Sequence, residues 1–253
     1  MKGFVLNIAA LAVAGALALP SPAAARRDLR DSGTVRVAVY RGPASCERCP
    51  ETLKRAIERL HPKYRVDFVG AGEAADITPQ TLARYDVYAQ PGGGQDIPGA
   101  LASLGEERID AIHDYVAHGG RYLGLCMGAY LASASGLGLV PHELDSEVGR
   151  PGFAVVDSED AAVAVRWQGR QETVFYQDGP YLLRAPKDPG FKAIATYAND
   201  DLAAARYSFG RGVVVLSGPH PEADASWFEA AGIGLEQMPD ARLLRSLLIE
   251  LER

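Results

Sequence analysis

Between Val35 and about Ser135 the chain alternates short apolar runs with longer segments whose apolar residues recur every three or four positions. Val35 to Tyr40, Val66 to Val69, Asp86 to Gln90 and Arg121 to Leu125 read as strands, and Glu51 to Leu60 and Glu106 to His118 as helices. In the second helix Ile109, Ile112 and Val116 form one buried stripe. Strands that alternate with helices pair in parallel and carry the helices on both faces, so the expected architecture is an α/β three-layer sandwich with a mainly parallel central sheet. Ligands of such sheets bind beyond the carboxyl ends of the strands, so the chemistry is expected there.

After about Leu144 the texture becomes β-rich. Ala161 to Trp167, Thr173 to Tyr176, Ala193 to Tyr197 and Ala205 to Phe209 are short strands with turn signals between them. Gly210-Arg211-Gly212 leads into Val213 to Leu216, apolar enough to be buried on both faces, and Ala241 to Leu251 reads as a closing helix. The expectation is one domain, residues 26–253, with an antiparallel elaboration. Apolar residues at 47% and charged residues at 23% suit an ordinary globule and exclude a disordered chain. A net charge of −6 gives no general attraction to nucleic acid or anionic lipid, so nucleic acid is not an expected partner.

Residues 1–25 read as a secretory signal peptide. Lys2 precedes an uncharged stretch from Phe4 to Leu19, Pro20-Ser21-Pro22 breaks the helix, and Ala23-Ala24-Ala25 is a small-residue cleavage site. A periplasmic or secreted protein is expected, with no stable membrane insertion after cleavage. The alternative, an uncleaved anchor, is disfavoured because the stretch is shorter than the roughly 20 residues that span a bilayer. Tyr122 to Val140 is also free of charge, but Gly124, Gly128, Gly136 and Gly138 interrupt it, and a strand running into a buried helix accounts for it better than a membrane span.

Three segments carry the chemistry. Gly124-Leu125-Cys126-Met127-Gly128 lies where a buried strand meets a helix, the pattern of a nucleophile elbow with cysteine at its apex. The glycines permit the sharp turn, and a helix beginning there would turn its positive end toward the sulfur. A buried structural cysteine is the competing explanation. Ser217-Gly218-Pro219-His220-Pro221-Glu222 follows the apolar strand. Pro221 forces His220 into extended backbone, where His220 and Glu222 point to one side. An acid so placed can hold one imidazole nitrogen while the other takes a thiol proton. Gln90-Pro91-Gly92-Gly93-Gly94 ends another strand, and its bare backbone suits either an oxyanion hole or a plain turn. All three segments should meet on one sheet edge.

This combination resembles the class I glutamine amidotransferase-like fold, flavodoxin-like in its layers. Pro91-Gly-Gly-Gly, Gly124-Leu-Cys-Met-Gly-Ala-Tyr130 and Ser217-Gly-Pro-His-Pro-Glu222 are most similar to its biotin-protein ligase N-terminal domain branch, over roughly residues 34–225. The resemblance implies Cys126 as nucleophile, His220 as base and Glu222 as orienting acid, with the backbone near Gly93 and Met127 as the oxyanion hole. It implies a hydrolase that cleaves a small-molecule or peptide amide through a thioester, with an inactive binding or scaffold module of the same fold, or a CxxC thiol redox protein, as the alternative. Glutamine-using members usually carry Gln four residues after the nucleophile; Tyr130 stands there in this chain and puts glutamine in question. Only about thirty residues follow Glu222, too few for a ligase domain, so biotin attachment is not expected.

Cys46-Glu47-Arg48-Cys49-Pro50 leaves the first strand for the next helix. The pair is read as a structural disulfide in an oxidising compartment, with a redox CxxC, two unlinked thiols, or exchange with Cys126 as alternatives. No second ligand pair stands at zinc spacing, so neither a metal nor another cofactor is expected. Tyr176 to Tyr181 is either a pocket wall or an ordinary turn. His61, His113, His118 and His142 have no partner at ligand spacing, and Asp145 with Glu147 makes no convincing carboxylate pair.

Overall fold

A computed structural model describes residues 28, 29 and 32–253. The expected signal peptide lies outside the described residues.

Eleven strands and seven α-helices follow in the order β1 Val35–Tyr40, α1 Cys49–Leu60, β2 Tyr64–Val69, α2 Pro79–Leu82, β3 Val87–Gln90, α3 Ile97–Leu104, α4 Glu106–Ala117, β4 Arg121–Leu125 and α5 Met127–Leu131 among the described residues. Then come β5 Asp145–Ser146, β6 Ala161–Trp167, β7 Arg170–Tyr176, β8 Pro180–Tyr181, β9 Lys192–Tyr197, β10 Leu202–Phe209, β11 Gly212–Ser217, α6 Ala225–Ala230 and α7 Arg242–Glu252. Nine strands make one sheet in the order β2-β1-β3-β4-β11-β10-β9-β6-β7. Pairing is parallel from β2 to β11 and antiparallel from β11 to β7. The antiparallel elaboration therefore continues the central sheet.

Period-two alternation builds the layers. Val37 and Val39 of β1, Leu123 and Leu125 of β4, and Val213 and Val215 of β11 face one core with Leu53 and Ile57 of α1 and Leu247 and Leu251 of α7. Ala38, Tyr40, Tyr122, Val214 and Leu216 face the other, against Leu104 of α3, Ile112 and Val116 of α4 and Leu131 of α5. Each such Leu, Ile or Val contributes about 1.5–3 kcal/mol when fully buried. Tyr122 to Val140 is strand β4, the five-residue α5 and buried turns. Among the described residues no helix is long and apolar enough to cross a membrane.

Three helices, α2, α3 and α6, are missing from the sequence expectation; each begins with a polar cap, followed in the first two by Pro or Gly. Thr78 accepts from Thr81 N–H ahead of Pro79, Asp96 from Gly99 N–H ahead of Pro98, and Asp224 from Ser226 N–H. The Pro and Gly after the first two caps read as loop in isolation, although a cap followed by an early Pro is a helix-start signal. The order β2-β1-β3-β4-β11 has its topological switch between β1 and β3, where the chain leaves the first strand in one direction and the third in the other. The CxxC loop follows β1 and the glycine loop follows β3, so both lie at that crevice.

Candidate active site

The carboxyl ends of β3, β4 and β11 are adjacent, and all three chemistry-bearing segments emerge there. Cys126 sits between β4 and α5 with φ 49°, left-handed backbone that costs a non-glycine residue of order 1–3 kcal/mol unless its surroundings enforce it. They do: Cys126 N–H donates to Ser217 O at 2.8 Å, and its own carbonyl accepts from Ala129 N–H at 2.8 Å. The strain thus resides on the cysteine itself, not on the flanking glycines as the motif suggested. Those glycines serve close approach. A Cβ on Gly124 would lie 2.4 Å from Gly128 O, and one on Gly128 would lie 2.2 Å from Gln90 O. Because α5 lasts only five residues, no long-helix dipole acts on the sulfur, and charge there is governed by nearer groups.

The nearest such group is His220. Its backbone N–H donates to Phe175 O at 2.8 Å, and its Nδ1 meets Glu222 Oε1 at 2.9 Å, the same-side arrangement that the intervening proline implied. His220 and Glu222 are each 3% exposed and Cys126 is 5% exposed. Burial works against an imidazolium here, but the Cys126 and Glu222 side chains outweigh it and hold His220 above the ordinary imidazole range. The bond at Nδ1 leaves Nε2 as the nitrogen available to other groups. Glu222 Oε2 has no hydrogen-bond partner among the described residues, so the acid spends one oxygen on the imidazole.

The remaining candidates divide. Gly93 and Gly94 line a cavity of about 350 Å³ together with Cys126, Met127 and Tyr130. Gly92 lines neither this cavity nor the next; it lets the His220 ring approach, since a Cβ there would lie 2.5 Å from Cε1. Tyr130 donates its hydroxyl to Asp178 O at 3.0 Å, and burial raises its phenol above the ordinary range. The turn after Tyr176 is a pocket wall: the Cys126 thiol donates to Gln177 O at 3.4 Å, and Asp178, hydrogen-bonded to Ser146, lines the same cavity. Asp145 lies on that cavity too, whereas Glu147 is buried elsewhere against Asn199 and Arg150.

Cys46 and Cys49 form a disulfide with their Cα atoms 5.2 Å apart, and Cys126 is the free, buried cysteine. Cys46 does not reach the Cys126 cavity; it lines a second one with His220. Among the described residues no three His, Cys, Asp or Glu side chains gather at metal-binding distance. A wider hollow of about 510 Å³ opens at the opposite sheet edge between Asp86 and Arg121, but no cysteine, serine or threonine lines it.

Sequence reasoning missed Phe175 and Trp227. Phe175 belongs to β7, which lies four places from β11 along the sheet. The antiparallel arm curls back so that Phe175 pairs with His220, a contact no local pattern records. Trp227 stands on α6, seated by Phe175 and Phe228, and a search for the capping Asp224 would have found that helix.

Residues 35–137 match the family described as biotin-protein ligase, N terminal. The chain is 29% identical over 216 residues to a biotin–protein ligase of Schizosaccharomyces pombe, covering 75% of this chain and 33% of that protein. It is 31% identical over 155 residues to an uncharacterized protein of Chlamydia muridarum, covering 51% of this chain and 58% of that one. The chain thus spans about a third of the first relative's length and somewhat over half of the second's. Among solved structures, a glutamine amidotransferase superposes with a TM-score of 0.57 at 17% identity, over 86% of this chain and 99% of that one. A Thermoplasma acidophilum protein described as a GMP synthase subunit superposes with a TM-score of 0.56 at 15% identity, over 87% and 94% of the two chains. At these identities the likeness is one of fold.

Proposed function

We propose, for a chain whose residues 35–137 match the biotin-protein ligase N-terminal family on a class I glutamine amidotransferase-like fold, that it cleaves an amide-type bond through a thioester on Cys126. The observation that carries this reading is the buried Cys126 at φ 49° beside a His220 whose Nδ1 is held by Glu222 at 2.9 Å.

In this reading His220 takes the thiol proton, and Sγ adds to the amide carbonyl carbon. The imidazolium Nε2 protonates the amine as the C–N bond breaks, and water then adds to the thioester, giving its proton to His220 as the C–S bond breaks. Backbone N–H groups near Gly93 and Met127, which border the same cavity as the sulfur, would meet the carbonyl oxygen. Tyr130 on this cavity, in place of a carboxamide, argues against glutamine as the substrate. The disulfide fits an exported protein in an oxidising compartment.

Alkylation with iodoacetamide tests the reading. Cys126 labelling at neutral pH should fall at least about tenfold in His220→Ala, because the thiol loses its proton acceptor. Equal rates in the two proteins would remove the ground for the mechanism.

A further inference from the structure

The Cys126 cavity is half of what surrounds the reacting groups. A second cavity, of about 320 Å³, opens on the His220 side. The two share Gly93 and Gln177 in their walls and no other residue, so they flank one narrow saddle with the sulfur on one side and the imidazole on the other.

The chemistry orients a substrate across that saddle. The carbonyl carbon must reach Sγ, so the acyl part occupies the Cys126 cavity. The departing nitrogen must receive its proton from Nε2, so whatever that nitrogen carries extends into the cavity beside His220. A primary carboxamide releases ammonia, which needs about the 30 Å³ of a water molecule. The hollow beside His220 is larger than ammonia requires.

Its walls mix aromatic and charged side chains. Trp227 is half-buried, stands 5.0 Å from the His220 ring and packs edge-on against Phe175 at 5.3 Å. The Cys46–Cys49 disulfide forms another wall, and Glu47, Arg48 and Asp160 bring charges of both signs. Trp227 and Phe175 offer a flat aromatic group a face to pack on, with the charged side chains left for its polar edge.

We propose that this second cavity binds the amine half of the substrate, so that the bond cleaved belongs to an N-substituted amide whose leaving amine bears an aromatic or other flat apolar group. The inference rests on Cys126 acting as the nucleophile.

The test compares two electrophiles, chloroacetamide and its N-phenyl analogue, by their rates of Cys126 alkylation, each divided by its rate with free glutathione. The N-phenyl probe should react about tenfold faster by this normalised measure. Trp227→Ala should bring the ratio of the two probes to about one. Ala230→Phe, an exposed substitution that fills the same cavity without touching the core, should do likewise. A wild-type ratio near one, or a ratio unmoved by Ala230→Phe, overturns the assignment of this cavity. Failure of the underlying mechanism has a separate signature: labelling by both probes that is indifferent to His220→Ala.

Discussion

The backbone N–H of Cys46 donates to the carbonyl of Gly92 at 3.0 Å, joining the loop after β1 to the loop after β3 across the switch point of the sheet. A further contact reinforces the joint: Gln90 Nε2 donates to Ala44 O at 2.7 Å, and the loops approach closely enough that a Cβ on Gly93 would lie 3.3 Å from Ser45 Cα. The disulfide loop therefore supports the glycine loop, which in turn admits the His220 ring.

Reduction of the disulfide should reach the site through that joint. Opening a four-residue ring returns about 2 kcal/mol of chain entropy to the unfolded state. In a Cys126→Ser background, where Cys46 and Cys49 are the remaining cysteines, the melting temperature should fall by several degrees on adding dithiothreitol. A melt unchanged by reductant would mean that the pair contributes nothing to stability.

Gly128→Ala should be among the most costly single-methyl changes in the chain. The new Cβ would meet the Gln90 carbonyl, a backbone atom in a strand end that carries the glycine loop. A loss of about 2–3 kcal/mol in urea unfolding is expected, with slower Cys126 alkylation in the fraction that folds. Gly94→Ala, where no atom lies within 4 Å of the added Cβ, is the control and should cost only a few tenths of that.

Glu222→Gln keeps the shape of the acid but not its charge. With a neutral partner at Nδ1, His220 holds its proton less well, and Cys126 alkylation at pH 7 should slow about tenfold. Stability should also change its dependence on pH. His220 lies above its unfolded value, so the native state binds the extra proton, and the stabilisation is complete below about pH 6.5 and lost as pH rises through the raised value. Wild-type protein should lose stability toward alkaline pH more steeply than His220→Ala, as read from melting temperatures between pH 6 and pH 10.

Glu147 predicts a separate effect nearer neutrality. Burial pushes its carboxyl up to about 7, with Asp201 acting in the same direction and the Asn199 hydrogen bond and Arg150 opposing. Between about pH 4.5 and 7 the native state keeps a proton that the unfolded state has released, so stability falls as pH rises across that window. In Glu147→Gln the fall should be shallower, a difference of a few degrees in melting temperature between pH 5 and pH 7.5. Parallel pH profiles for the two proteins would show that Glu147 ionises without cost.

The elements legible in the sequence are those with strong local signatures. β1, β4 and β11 are apolar runs bounded by turn residues, and α4 and α7 carry apolar stripes of helical period. The elbow at Cys126 and the pair His220 and Glu222 were legible because the backbone constraints that bring them together are local: a strand running into a turn, and a proline between two residues facing one way. Helices α2 and α3 were hidden because their evidence is one capping side chain ahead of Pro or Gly, and α6 because six residues are too few to show a helical period.

By itself, then, the sequence determined the parallel half of the sheet and the edge at which chemistry would gather, since periodicity and turn residues act over a few positions, while the Cys46–Cys49 bond that leaves Cys126 free is a finding of the structure. Only the tertiary structure decided that the antiparallel arm returns to place Phe175 against His220 and the Gln177 carbonyl against Cys126. It also decided that the disulfide borders the imidazole rather than the thiol, and that two cavities flank the reacting pair. These contacts join residues about 45 to 174 positions apart, and strand order and sheet curvature, which set such distances, leave no mark in any short stretch of chain.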